Sequence, residues 1–156
     1  MTVIAYRDGV LAADSLATAG HVKTGCIQKI WRFDDGRLVG GAGGAGDMST
    51  FVAWLLGDGR GPWECRDKDN GFSALVVAGN GEVTIYDAEG RGYALQAEFY
   101  ARGAGAELAM GAMAMGARAD QAVEIACRYS VWCEGPVQQL YLAGAEFDSI
   151  RNRGLR

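Results

Sequence analysis

The chain has 156 residues, of which 49% are hydrophobic and 22% charged, with a formal net charge of −4. That length fits one domain, 1–156, with a core of its own, and the acidic balance leaves no footprint for nucleic acid or an anionic membrane. A single histidine, His21, argues against Ser-His-Asp and Cys-His chemistry and against a multi-histidine metal site, so no cofactor or metal is expected.

Residues 2–7 and 10–15 read as two strands joined by Asp8-Gly9, a strong short hairpin signal. A two-residue turn there sets Val3 opposite Asp14 and Thr2 opposite Ser15. Residues 16–24 read as a polar connection, and Cys26 to Phe33 as the next strand, in which Lys29 alternates with Ile27, Trp31 and Phe33 on the face expected to be buried. Asp34-Asp35-Gly36 turns the chain into a fourth strand at 37–39. The run Gly40-Gly41-Ala42-Gly43-Gly44-Ala45-Gly46 reads as a loop with unusual backbone freedom. Asp47 is the expected N-cap of a helix whose stripe is Met48, Phe51, Val52 and Leu55, with Gly57 as its stop.

Residues 57–71 are polar and glycine-rich and read as a surface loop. Strands follow at 72–77 and 82–86, then around 93–95 and 98–102. An alanine- and methionine-rich helix is expected over 106–116. A second begins with Asp120 as cap and runs to about Cys133, where Gly135-Pro136 ends it. Residues 137–142 form a last strand, and the tail after Gly144 reads as an appendix. Runs of strands with the helices gathered between them predict an α+β protein of packed antiparallel sheets flanked by helices, not a βαβ repeat. No apolar h-region follows the start, no apolar run is long enough to span a bilayer, and the four cysteines show no C-x-x-C spacing. A reducing, cytoplasmic setting with free thiols is the simplest expectation.

The opening TVIAYRDGVLAADSLAT, the later IQKI and GGAGGAGD, and then RGAGAELAMGA and AVEIACRY resemble, in this order and spacing, the proteasome β-subunit and the bacterial HslV-type peptidase. These are N-terminal-nucleophile hydrolases. The resemblance implies a four-layer αββα sandwich that cuts peptides with an N-terminal threonine. It makes Thr2 the nucleophile once Met1 is removed, Asp14 and Lys29 its polar partners, and Gly43 the donor of an oxyanion-hole N–H. The first hairpin is shorter than the family's by roughly four residues, an even number that leaves strand faces unchanged and favours Thr2 over Met1 as the equivalent position.

These residue types suit the chemistry that the resemblance implies. A threonine hydroxyl needs a base, and a free α-amine with a reference pKa of about 7.7–8.0 can serve. A lysine on a buried face, beside a carboxylate, could lower the barrier to acyl transfer. The resemblance also implies a homo-oligomeric ring acting on peptides or unfolded protein. An ATP-dependent unfoldase gains no support, because the segment before Phe72 is too short for the family's second helix on that side. Where the family has a serine and an aspartate that assist the terminal amine, this chain has Ala104 and Ser130. That departure keeps open a non-catalytic ring subunit of the same fold, and an amidase with a small substrate is a weaker alternative. The glycine loop lacks the lysine and hydroxyl of a nucleotide-phosphate cradle.

Overall fold

The computed structural model describes residues 1–145; the expected appendix after Gly144 falls almost wholly outside them. The chain opens on β1 (Val3–Arg7) and β2 (Val10–Ala13), turning at Asp8 and Gly9 with φ of 49° and 76°. Both angles are those of the turn whose twist suits a hairpin. The register pairs Ile4 with Ala13 and Tyr6 with Leu11, as a two-residue turn requires.

This hairpin is the centre of a four-stranded sheet, flanked by β10 (Phe99–Gly103) and β11 (Gln138–Tyr141) in the order β10-β1-β2-β11. A second sheet has the order β5-β6-β7-β8-β9, from β5 (Ile30–Arg32), β6 (Leu38–Ala42), β7 (Ser73–Val77), β8 (Val83–Tyr86) and β9 (Gly92–Leu95). Neighbours in both sheets are antiparallel. One helix, α1 (Ala45–Leu56), covers the second sheet; α2 (Ala106–Ala114) and α3 (Ala119–Tyr129) cover the first.

Alternation along the hairpin builds the four layers. Val3, Ala5, Val10 and Ala12 pack under α2 and α3 with Met113 and Val123. Ile4, Tyr6 and Leu11 face the other way, onto Leu38, Leu75, Val77 and Ile85 of the second sheet. Beyond that sheet, Val39, Ala74 and Val76 meet Phe51 and Leu55 of α1. A fully buried Val, Leu or Ile contributes about 1.5–3 kcal/mol, so a terminus that would normally fray is fastened on both faces.

Several local expectations are corrected by tertiary contacts. The connection at 16–24 is a hairpin, β3 (Leu16–Ala19) and β4 (Val22–Cys26), which forms its own two-stranded ribbon. Its far strand is exposed throughout, and Lys23 reaches Glu134. Small and polar residues without apolar alternation gave no strand signal. The strand expected over 26–33 is divided: Cys26 closes β4, residues 27–29 cross over, and β5 begins at Ile30. The supposed glycine loop gives its first residues to β6. There a Cβ on Gly41 would stand 2.1 Å from Met48 Sδ, so that glycine permits close packing of strand and helix.

Asp47 and Asp120 are not N-caps. Gly44 and Arg118 hold those places. The Asp47 carboxylate leaves its own helix to accept from Arg66 N at 2.8 Å, Asp67 N at 3.1 Å and Cys65 Sγ at 3.2 Å. Asp120 instead pairs with the Arg118 guanidinium. α3 ends at Tyr129, short of Cys133. The loop after α1 contains only a 3-10 turn, Lys68–Asn70, so among the described residues a single helix lies on that side. No helix among the described residues is long and apolar enough to cross a membrane.

Candidate functional site

The open end of the first hairpin gathers the predicted residues. Asp14 follows β2 directly and extends its register, donating its N–H to Val3 O at 3.2 Å. Its side chain is fully buried. Oδ1 accepts from Val3 N and from Lys29 Nζ, both at 2.9 Å; Oδ2 accepts from Leu16 N at 3.2 Å and Glu134 N at 3.3 Å. A carboxylate out of water is tolerated only when paired and hydrogen-bonded. Here four donors from four parts of the chain meet that demand.

Lys29 lies in the 27–29 crossing, so the simple alternation expected for it does not hold. Ile27 is exposed and Trp31 half-buried, while Lys29 and Phe33 are buried. The Lys29 ammonium crosses to the hairpin end, where it donates to Asp14 Oδ1 and to Met1 O at 3.0 Å. Thr2 is buried, and its Oγ1 donates to the same Met1 oxygen at 2.7 Å. One carbonyl oxygen is therefore shared by the threonine hydroxyl and the lysine ammonium. The Thr2 nitrogen is itself part of the Met1–Thr2 peptide.

Two glycines hold Thr2 from behind. A Cβ on Gly103, at φ +100°, would fall 2.1 Å from Thr2 O, and Gly105 N donates to that same oxygen at 3.3 Å. Gly43 adopts φ +132°, where a side chain is strained, and a Cβ there would sit 3.0 Å from Phe72 Cα. Gly43 and Thr2 together line two cavities. One is an open cleft of about 430 Å³ that also carries Arg102, Ala104 and Glu107. The other, of about 50 Å³, is bounded by Lys29, Trp31, Gly41 and Met48. The four residues predicted from sequence thus converge, with Asp14 behind Lys29 and out of contact with the Thr2 hydroxyl.

Ala104 is exposed in the open cleft, so no hydroxyl enters the cleft from that position. Ser130 caps the end of α3; its Oγ accepts from Trp132 N at 3.2 Å, and it lines neither cavity. Sequence reasoning did not find Gln138, whose carboxamide joins the backbones of Asp14, Ile27 and Lys29. Nor did it single out Ser15, whose buried hydroxyl has no hydrogen-bond partner among the described residues. Neither position carries a local pattern; Gln138 stands more than a hundred residues from its partners.

The nearby thiols do not compete as nucleophiles. Burial, and then the Asp14 charge, pushes Cys127 up to about 12 and Cys133 upward in the same way. Both stay protonated near neutrality, whereas the thiolate is the reactive form. What remains is a hydroxyl and an ammonium converging on one carbonyl oxygen, at the edge of a cleft open to an extended ligand. This arrangement suits acyl transfer if an adjacent base is supplied.

No protein-family model and no curated protein sequence matches the chain. Solved structures do match. BPH of Thiobacillus denitrificans in complex with epoxomicin superposes with a TM-score of 0.63 at 20% identity, covering 90% of this chain and 98% of that one. A second structure of BPH gives 0.61 at 20% identity, over 92% and 98%. Eukaryotic HslV from Trypanosoma brucei gives 0.63 at 18% identity, over 90% and 98%. At such identities the likeness is one of fold: the chain has the HslV and proteasome β-type sandwich along nine-tenths of its length.

Proposed function

We propose that the chain is a threonine peptidase of the proteasome and HslV type that works from Thr2 after removal of Met1. The carrying observation is the convergence of Thr2 Oγ1 and Lys29 Nζ on the Met1 carbonyl oxygen, with Asp14 holding Lys29 from behind. Removal of Met1 takes that shared acceptor away and turns the Thr2 nitrogen into a free amine. Hydroxyl and amine then face the open cleft, with the Lys29 ammonium beside them on the smaller cavity that Thr2 also lines.

The amine accepts the hydroxyl proton as Oγ1 attacks the carbonyl carbon of a peptide lying in the open cleft. The Lys29 charge lowers the cost of the alkoxide character developing on Oγ1. The Gly43 N–H donates to the oxyanion. The proton passes to the departing amine, an ester remains on Thr2, and water cleaves it to restore the hydroxyl. The acidic surface, the free cysteines and the fold together support a cytoplasmic enzyme acting on peptides or unfolded protein. Exposed Met115, Tyr129, Val131 and Trp132 at the ends of α2 and α3 supply surface for a homo-oligomeric ring.

A second reading, a ring subunit that keeps the fold without the chemistry, is favoured by Ala104 and by the engagement of the Ser130 hydroxyl. Intact mass separates the two, since the peptidase must lack Met1. Thr2→Ala is expected to lower peptide cleavage on the order of 10⁶-fold, the cost of losing a nucleophile, while assembly persists. Epoxomicin, bound by BPH, is expected to add its mass to the processed protein and not to Thr2→Ala. Full cleavage by Thr2→Ala would overturn the mechanism.

A further inference from the structure

Gln138 is the first residue of β11, held by its pairing with Ala13 of β2. Its carboxamide Nε2 donates to Asp14 O at 3.2 Å and to Ile27 O at 2.8 Å, and its Oε1 accepts from Lys29 N at 3.0 Å. The pattern fits one orientation of the amide, with both N–H bonds on carbonyls and the oxygen on an N–H. These contacts answer a need created by the fold. Residues 27–29 lie between β4 and β5, where Ile27 N donates to Ser15 O at 2.9 Å but Ile27 O and Lys29 N are left without a strand partner. Lys29 itself is buried, and buried backbone groups must be paired. The side chain of a distant strand therefore replaces a missing strand partner, on the two segments that carry Asp14 and Lys29.

We propose that Gln138 is a positioning residue that holds the Lys29 backbone at a fixed offset from Asp14 and so aims Lys29 Nζ at the Thr2 hydroxyl. Its partners are backbone atoms, so it sets where the Lys29 side chain starts without touching substrate. Asp14 keeps its contacts from Val3, Leu16 and Glu134 when Gln138 is changed. What moves is the crossing that carries the lysine. The catalytic consequence rests on the peptidase reading above; the structural one does not.

The test compares wild type with Gln138→Met, which keeps the length and removes all three hydrogen bonds, and Gln138→Glu, which turns oxygen toward two carbonyls. Gln139→Met, one residue along β11, is the control. The first readout is the ¹⁵N signal of the Lys29 ammonium, assigned by its loss in Lys29→Met. The second is kcat against KM for a peptide. The expected result is a displaced or exchange-broadened ammonium signal in both Gln138 variants, unchanged in Gln139→Met. With it, kcat falls about 10- to 100-fold, the scale of a misplaced catalytic group, and KM stays within about twofold.

An unchanged ammonium signal in folded Gln138→Met or Gln138→Glu would overturn the proposal. So would failure of both to fold while Gln139→Met folds, since Gln138 would then be a structural residue. If wild type shows no Thr2-dependent cleavage, the peptidase reading fails alone, and the ammonium signal still decides the role of Gln138.

Discussion

On the peptidase reading, the buried aspartates Asp14 and Asp47 divide between chemistry and architecture. Both are buried, and both accept backbone N–H groups from distant segments. They differ in the remaining donor. Asp14 receives the Lys29 ammonium, which also reaches the oxygen shared with Thr2 Oγ1. Asp47 receives the Cys65 thiol, which burial and the Asp47 contact push up to about 11 and therefore keep protonated. Burial and hydrogen bonding alone thus do not mark a reactive carboxylate. The mark is a counter-charge that the carboxylate holds and that touches something else. Asp47 fastens the 65–67 loop to the first turn of α1; Asp14 aims a cation.

The sharpest way to break this comparison is to remove the cation. Lys29→Met leaves the Asp14 carboxyl buried without its ion partner, a change that costs about 3–5 kcal/mol in comparable buried pairs. Peptide cleavage is expected to fall with it. Denaturant unfolding and a peptide assay measure the two effects side by side. Asp47→Ala removes the acceptor of Arg66 N, Asp67 N and the Cys65 thiol, at about 1–3 kcal/mol for a buried group that loses its partner. Cleavage is expected to survive at the wild-type rate under conditions where the variant is folded. Equal loss of activity in both variants would erase the distinction between the two carboxylates.

Acid tests the Asp47 side of the comparison. The Arg66 N–H holds the Asp47 carboxyl below the usual carboxylate range; burial opposes it, and the Cys65 thiol and the Asp67 N–H add to the lowering. A folded-state value below the unfolded one means that the stability is fully present above the ordinary value of about 3.9. It is lost as pH falls from there through the folded value. The destabilisation caused by Asp47→Ala is therefore expected to be largest near neutrality and to shrink below about pH 4. Urea midpoints of wild type and variant at pH 6 and pH 3 check the sign.

The smallest expected effect comes from the exposed Ala104 in the open cleft. In the proposed processed enzyme, Ala104→Ser offers a hydroxyl to the Thr2 amine. One hydrogen bond of about 1 kcal/mol corresponds to roughly a fivefold gain in kcat/KM. A decrease would show that the cleft uses this methyl to exclude water, and that Thr2 needs no help from this side.

Much of this was legible in the chain, for reasons that can be named. Asp8-Gly9 dictates a two-residue turn, and that turn dictates that Asp14 stands opposite Val3. The stripe Met48, Phe51, Val52 and Leu55 is the buried face of α1 as read from its period. Thr2, Asp14, Lys29 and Gly43, nominated by the resemblance to the proteasome and HslV-type family, come together at the hairpin's open end. The β3–β4 ribbon was missed because it stands away from the core, and without burial there is no alternation to read. The caps were misassigned because Asp47 and Asp120 spend their carboxylates elsewhere.

By itself the sequence determined most of the elements and the register of the first hairpin, which follow from local periodicity and turn chemistry acting over a few residues. The candidate site residues came from the resemblance to the family. Only the stacking of two sheets decided that Lys29, lying outside any strand, would turn onto Asp14, and that Gln138 from the last strand would hold both backbones. Contacts of that kind leave no local pattern, because they are specified by where distant segments pack and by the need to pair every buried polar group.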